Sequence, residues 1–161
     1  MIFKDLKLND YNHFVAMQYY GLILNRTYLV VLTNDLIIGI KVNGLISVES
    51  GGNIIAKELS NAMAVKGDLQ DPYSYIKSKY IDKVQNCELL DGSILNHDKA
   101  NFVIQRKDIK TAYYDDKKKW GMGYYPHDGK VYVVTNDGKK KEFIMLGNQS
   151  GHKVANLILK K

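Results

Sequence analysis

The sequence predicts an α+β fold: an antiparallel β-barrel or strongly bent sheet, closed by a C-terminal α-helix and interrupted by a helical insertion. Three observations carry that expectation. Two pairs of β-rich runs flank the turns Thr33-Asn34-Asp35 and Asn136-Asp137-Gly138, and such turn residues between apolar runs mark hairpins. Val154, Leu157 and Ile158 fall at i, i+3 and i+4, which places them on one helical face. Between these parts, residues 44–99 carry helical rather than strand spacing. At 161 residues the chain fits one domain, since single domains commonly run ~100–200 residues. Within that single domain, 1–161, residues 1–43 hold an N-terminal segment and the first hairpin, 44–99 the insertion, and 100–161 further strands and the closing helix.

From the N-terminus, Asn9 or Asp10 caps a helix with Tyr11, Phe14, Val15 and Tyr19 on one face, stopped at Gly21; an irregular segment with a short strand fits nearly as well. Arg26 to Val31 and Leu36 to Val42 form the first hairpin. Its runs Leu29-Val30-Val31-Leu32 and Leu36-Ile37-Ile38 are nearly continuous, which predicts burial on both sheet faces. In the insertion, Ile55, Leu59, Ala62 and Met63 keep helical spacing until Gly67. Asp71-Pro72 starts another helix, with Asp as cap and Pro at the first position. Tyr73, Ile76, Tyr80 and Val84 then face the core.

The closing third reads as strand, turn and strand again. Asn101 to Arg106 and Ile109 to Tyr114 are two short strands bent around Lys107-Asp108. Asp115 to Lys119 is too polar to bury and reads as an exposed loop. Trp120 to Tyr125 resumes strand-like composition, and Pro126-His127-Asp128-Gly129 reads as a tight turn. Lys130 to Thr135 is the clearest strand, with Lys139 to Leu146 as its partner. Asn148 or Ser150 caps the closing helix, and Lys160-Lys161 sit at its negative end. The predicted core includes Leu29, Val31, Ile38, Tyr80, Val131, Val133, Phe143, Leu157 and Ile158.

The strings Tyr28 to Asp35, Asp108-Ile109-Lys110, Lys119-Trp120-Gly121-Met122-Gly123, Thr135 to Lys139 and the helix from Gln149 together resemble bacterial pleckstrin-homology-like (GRAM-like) domains. The resemblance covers residues 27–43 and 101–160. It implies a PH-like sheet closed by the last helix; it does not by itself choose a function, since one scaffold hosts many. Eukaryotic relatives of that fold hold phosphoinositide with basic residues around the first hairpin turn. Here that turn, Thr33-Asn34-Asp35, has no Lys or Arg.

The net charge of +6 is concentrated at the end of the chain, where residues 101–161 carry thirteen Lys/Arg against six Asp/Glu. Lys117, Lys118, Lys119, Trp120, Lys139, Lys140 and Lys141 are therefore the candidate ligand-binding residues. A cation cluster beside an indole suits an anionic headgroup or another phosphate-bearing ligand. If both lysine runs sit on turns at one end of the sheet, they form a single positive patch. The plain alternative is that lysines on strand edges and turns prevent edge-to-edge aggregation, with the Trp in the core.

Catalytic, metal and cofactor motifs are not found. Gly123 to Gly129-Lys130 misses the phosphate-loop spacing. No two of His13, His97, His127 and His152 are four apart, as a helical zinc pair needs. His97-Asp98 and His127-Asp128 read as solvated turns. Cys87 is alone, so it forms no intramolecular disulfide and reads as a buried structural thiol in a reducing, cytoplasmic setting. There is neither a secretory signal nor a membrane span. Three functions follow in order: a non-catalytic module that binds protein or itself, weak peripheral binding of anionic lipid, and an enzyme assembled from distant residues. Nucleic acid is disfavoured for want of exposed aromatics between the basic residues.

Overall fold

In the computed structural model, which describes residues 1–21, 24–47, 67–118, 122 and 125–160, seven strands form one antiparallel sheet. They are β1 His13–Gly21, β2 Leu24–Leu32, β3 Leu36–Ser47, β4 Phe102–Gln105, β5 Ile109–Asp115, β6 His127–Thr135 and β7 Lys140–Leu146. Their order is β4-β3-β2-β1-β7-β6-β5, so two meanders meet where β1 pairs with β7. The sheet is not closed into a barrel: β4 and β5 are its two edges.

Those edges are nonetheless joined by the single 3-10 turn Arg106–Asp108. Three linking residues reach at most about 14 Å even when extended. A flat sheet would hold its outer strands roughly 29 Å apart, six spacings of ~4.8 Å. The sheet must therefore curl until its edges nearly meet at this corner. Arg106 N donates to Asp35 O at 2.7 Å, and Asn136 N donates to Asp108 O at 2.8 Å, so both predicted hairpin turns gather there. The expected bend at Lys107-Asp108 is thus the point on which the curl closes.

The closing helix, Gly151–Leu159, packs against β5 and β6. Ser150 caps it by accepting from Lys153 N, and Asp128 accepts from Gly151 N at 2.8 Å. A carboxylate there meets the positive end of the helix. At the other end the Arg106 guanidinium donates to the carbonyls of Leu157, Ile158 and Lys160. Lys160 is at the helix C-terminus as read, and Arg106, about fifty residues away, takes the orphan carbonyls.

The sheet has a core on each side. Val15, Met17, Leu29, Val31, Ile38 and Ile40 pack against Phe3, Tyr75, Val84, Cys87, Leu89 and Ile94, from the N-terminal segment and residues 67–99. Phe14, Ala16, Val30, Ile37, Val131, Val133, Phe143 and the helix residues Val154 and Ile158 fill the inside of the curl. The continuous apolar runs of the first hairpin are buried on both faces, as predicted. Of the expected core, Leu157 and Tyr80 are only partly buried. The Tyr80 ring has Lys41, Lys79 and Lys83 amines within 5.5–5.7 Å of its centroid.

Three local readings change. Residues 13–21 form a strand, the alternative that fitted nearly as well as a helix. The candidate cap Asn9 instead closes a turn with Asn12, in which Asn9 N donates to Asn12 Oδ1 and Tyr11 N to Asn9 Oδ1. The helix expected after Asp71-Pro72 starts as read, with Asp71 accepting from Tyr73 N, but lasts only for the 3-10 turn Pro72–Tyr75. Ile76 and Lys77 are extended because Lys77 N donates to Val42 O at 2.9 Å, and a separate one-turn helix, Ser78–Ile81, follows. Tertiary hydrogen bonding to β3 outweighs the helical spacing. Among the described residues of the insertion, only single-turn helices occur; the expected helix over Ile55 to Met63 lies outside the described residues.

Pro126-His127-Asp128-Gly129 is not a turn either. His127–Thr135 is one strand with a register shift between His127 and Lys130. Gly129 sits there at φ +69, and a Cβ on it would lie 2.3 Å from Asp115 O. The glycine is needed for a bulge rather than a reversal. Of the expected strand Trp120 to Tyr125, Met122 and Tyr125 are buried outside any strand, and the rest lies outside the described residues. No helix among the described residues is long and apolar enough to cross a membrane.

Candidate functional site

The curl leaves a gap on the inner side of the sheet. A cleft of about 680 Å³ runs between β4 and the β6–β7 hairpin. Phe102, Val103, Ile104 and Gln105 all line one wall. Successive strand residues point to opposite faces, so four in a row line a cavity only when they present it with a strand edge. Among the described residues that edge of β4 pairs with no strand. Val133, Thr135, Asn136 and Lys139 to Lys141 line the opposite wall, with Asp108 and Asp137 at the end near the corner.

Phe102 makes the floor. Its ring lies over Gly39, where a Cβ would come within 2.0 Å of it. Ring centroids of Tyr28 and Phe143 are 5.4 and 5.9 Å away. One aromatic from β4 thus bridges β2 and β7 across the inside of the curl.

Strand geometry divides the three candidate lysines of this wall. Lys139 lies on the turn and pairs with Asp137 at 2.7 Å; that lysine, and then the Thr135 hydroxyl, hold the Asp137 carboxyl well below the usual range. Lys140 faces outward with its amine 3.8 Å from the centroid of the Tyr132 ring. Lys141 stands opposite buried Val133 in the ladder, so it points into the curl. Its amine lies 3.7 Å from the Phe102 centroid and reaches Gln18 Oε1 at 3.4 Å. Among the described residues no carboxylate pairs with it. Burial pushes the amine down to about 8, because a charge removed from water without a counter-ion is destabilised.

The other candidates lie elsewhere. Lys117 and Lys118 are exposed, while Lys119 and Trp120 lie outside the described residues. The single-patch expectation is not met. Asp115 pairs with Lys130 and Ile109 with Thr135, so the loop after β5 is at the opposite end of the strands from Asn136-Asp137-Gly138. The reason is that 127–135 continues as one strand where a reversal had been expected.

A second groove, about 530 Å³, lies between the start of β1, the Pro72–Tyr75 turn and the start of the closing helix. Asp10, Asp68, Asp71 and Lys153 line it with His13 and Tyr73. His13 Nδ1 meets Asn9 O at 2.7 Å, and Nε2 meets the Tyr73 hydroxyl. A carbonyl only accepts, so Nδ1 carries the proton and Nε2 accepts from Tyr73. Burial lowers the His13 pKa, which keeps this neutral form. Both nitrogens are occupied, and the pair ties β1 to residues 67–99.

The two histidine–aspartate dipeptides, read as solvated turns, fare differently. Asp98 pairs with Lys41 at 2.9 Å and His97 is exposed. Asp128 serves the closing helix and the Tyr114 hydroxyl while His127 is buried, so the solvated-turn reading of that pair is corrected. Cys87 is buried against Ser93 Oγ at 3.1 Å. No family model matches the sequence, and neither a curated protein nor a solved structure is similar enough to be matched with it.

Sequence reasoning missed β4 as a sheet edge that opens into the cleft and Lys141 as distinct from its neighbours. A signal for the second was present: once Lys139 to Leu146 reads as a strand, Lys140 and Lys141 must face opposite ways.

Proposed function

We propose that this chain is a non-catalytic interaction module of pleckstrin-homology-like type that holds an extended protein segment as an added strand on β4. The PH-like reading is supported by a four-strand meander, a three-strand meander joined to it through β1 and β7, and the closing helix. The observation that carries the binding reading is the uncharged, unpaired edge Phe102-Val103-Ile104-Gln105 opening into a cleft. Free ladder groups beside apolar pockets are what strand addition uses. The other sheet edge is less suited. β5 is bulged between Ile109 and Thr111 and carries exposed Lys110, devices that discourage pairing. Dispersal of the described lysines weakens the case for an anionic lipid surface, since no one face gathers Lys117, Lys118 and Lys139 to Lys141.

The test is selection of random dodecapeptides on the folded protein, followed by N-methylation of a selected peptide one amide at a time. Strand addition predicts losses of about tenfold or more at alternate amides, because each methyl removes a ladder hydrogen bond and clashes with the edge. Failure to select any peptide, or losses without a period of two, would contradict it.

A further inference from the structure

Lys141 gives the cleft a chemical preference. It enters from the inner face of β7, its amine rests on the Phe102 ring, and its one hydrogen bond among the described residues, to Gln18 Oε1, is long at 3.4 Å. An ammonium has three donors, so two remain for a ligand. The nearby carboxylates do not compete. Asp137 is held by Lys139 and the Thr135 hydroxyl, and Asp108, at the corner where its backbone carbonyl receives Asn136 N, makes no ion pair with Lys141. Around the amine the walls are Phe102, Val103, Ile104 and Val133, a setting where a charged partner gains more than it would in water.

We propose that the segment held in this cleft belongs to a protein partner and carries a carboxylate side chain, Asp or Glu, that pairs with Lys141 between flanking apolar residues. This rests on the strand-addition reading above and adds the specificity of the site. Phe102 and Ile104 lie on one face of the β4 edge and Val103 and Gln105 on the other, so an added strand would present alternate residues to the curl. One of those inward positions meets Lys141, and its neighbours two residues away meet Phe102 and Val133. The expected sequence preference is apolar at alternate positions with a single acid among them. A phosphate dianion would bring more charge than one ammonium balances, and the Lys139 and Lys140 amines are engaged by Asp137 and by the Tyr132 ring.

The experiment selects random dodecapeptides in parallel on the wild-type protein and on Lys141→Met, and then measures the affinity of a selected peptide with its acid or with the matching amide. Wild type should enrich Asp or Glu at one fixed position. Changing that acid to Asn or Gln should weaken binding by about tenfold, the scale of one charge-assisted hydrogen bond. Lys141→Met should still capture peptides, without the acidic preference and with the acid and amide forms equal, so that the loss is coupled to this one pair. Capture by wild type without an acidic position overturns this inference and leaves strand addition standing. Capture by neither protein overturns both. Sedimentation of the free protein as a dimer that peptide dissociates would assign the edge to a second copy of the chain and overturn the partner proposed here.

Discussion

The two halves of the sheet bury themselves differently. β1 to β4 form a layer in the middle of the molecule, with residues 67–99 and the N-terminus on one side and the inside of the curl on the other. β5 to β7 cover the curl with one face, while Tyr113, Tyr132 and Lys140 stand on the other in contact with water. The difference is written in the side chains. Two-faced burial needs runs such as Phe14-Val15-Ala16-Met17, all buried, whereas Val131 and Val133 are buried and alternate with half-exposed Tyr132 and Val134. A strand stretch between two cores is apolar on both faces, and an outer strand leaves every second residue facing water.

That contrast can be broken most sharply in β6. Val133→Asp should leave no folded protein, because it puts an unpaired carboxylate into the curl at a cost of more than about 4 kcal/mol. Val134→Asp, one residue on, should cost under about 1 kcal/mol. Circular dichroism during urea unfolding distinguishes them, and equal effects would mean that the two faces are not different. In β2, by contrast, Val30→Asp and Val31→Asp should both unfold the chain, since both side chains are fully buried.

Gly129→Ala comes next. Its backbone has φ +69 and its missing Cβ would collide with Asp115 O, so a loss of about 2–4 kcal/mol is expected from strain and clash together. The effect belongs to the β5–β6 ladder, and amide exchange should quicken at 111–115 before it does in β2.

The join between the halves is short. β1 and β7 pair through Ala16–Met145 and Met17–Ile144, and the Gln149 amide extends the ladder by accepting from Val15 N at 2.8 Å and donating to Val15 O at 2.6 Å. Gln149→Ala strands both groups and should cost about 1–3 kcal/mol, read as a lower urea midpoint at unchanged slope.

Lys141→Met should be the smallest change, and in the opposite direction. The amine is pushed from its ordinary 10.5 down to about 8 by burial. Between those values the unfolded chain holds a proton that the folded chain has released, so stability rises with pH through that window and the full cost is present below it. Removing the amine should stabilise the protein at pH 7 by about 1 kcal/mol, the open side of the cleft limiting the gain. It should also flatten the rise between pH 8 and 10.5. A destabilised variant would mean that the amine is already paired.

Much of the framework was legible because it is local. Thr33-Asn34-Asp35 and Asn136-Asp137-Gly138 carry their turn chemistry with them: Thr33 Oγ1 accepts from Leu36 N, and Asp137 accepts from Lys139 N. Ser150 as a cap and the bend at Lys107-Asp108 are legible for the same reason. What was not legible depends on contacts across the fold. Residues 13–21 fit a helical face as well as a strand until β2 and β7 lie beside them. Pro126 to Gly129 has turn composition, but Asp115 O takes the space above Gly129. The site is further from view. The cleft exists because β4 and β5 meet at Arg106–Asp108 without pairing, and no stretch of sequence states that a curl stops short.

The most direct test of that cleft is amide hydrogen exchange, residue by residue, on the free protein and on the protein saturated with a selected peptide. Amides within residues 102–105 should gain protection on binding, with smaller gains across residues 139–141 and none along the outer edge of β5. Protection appearing on β5, or around His13 and Tyr73, with residues 102–105 unchanged would show that the unclosed seam is not where this protein binds.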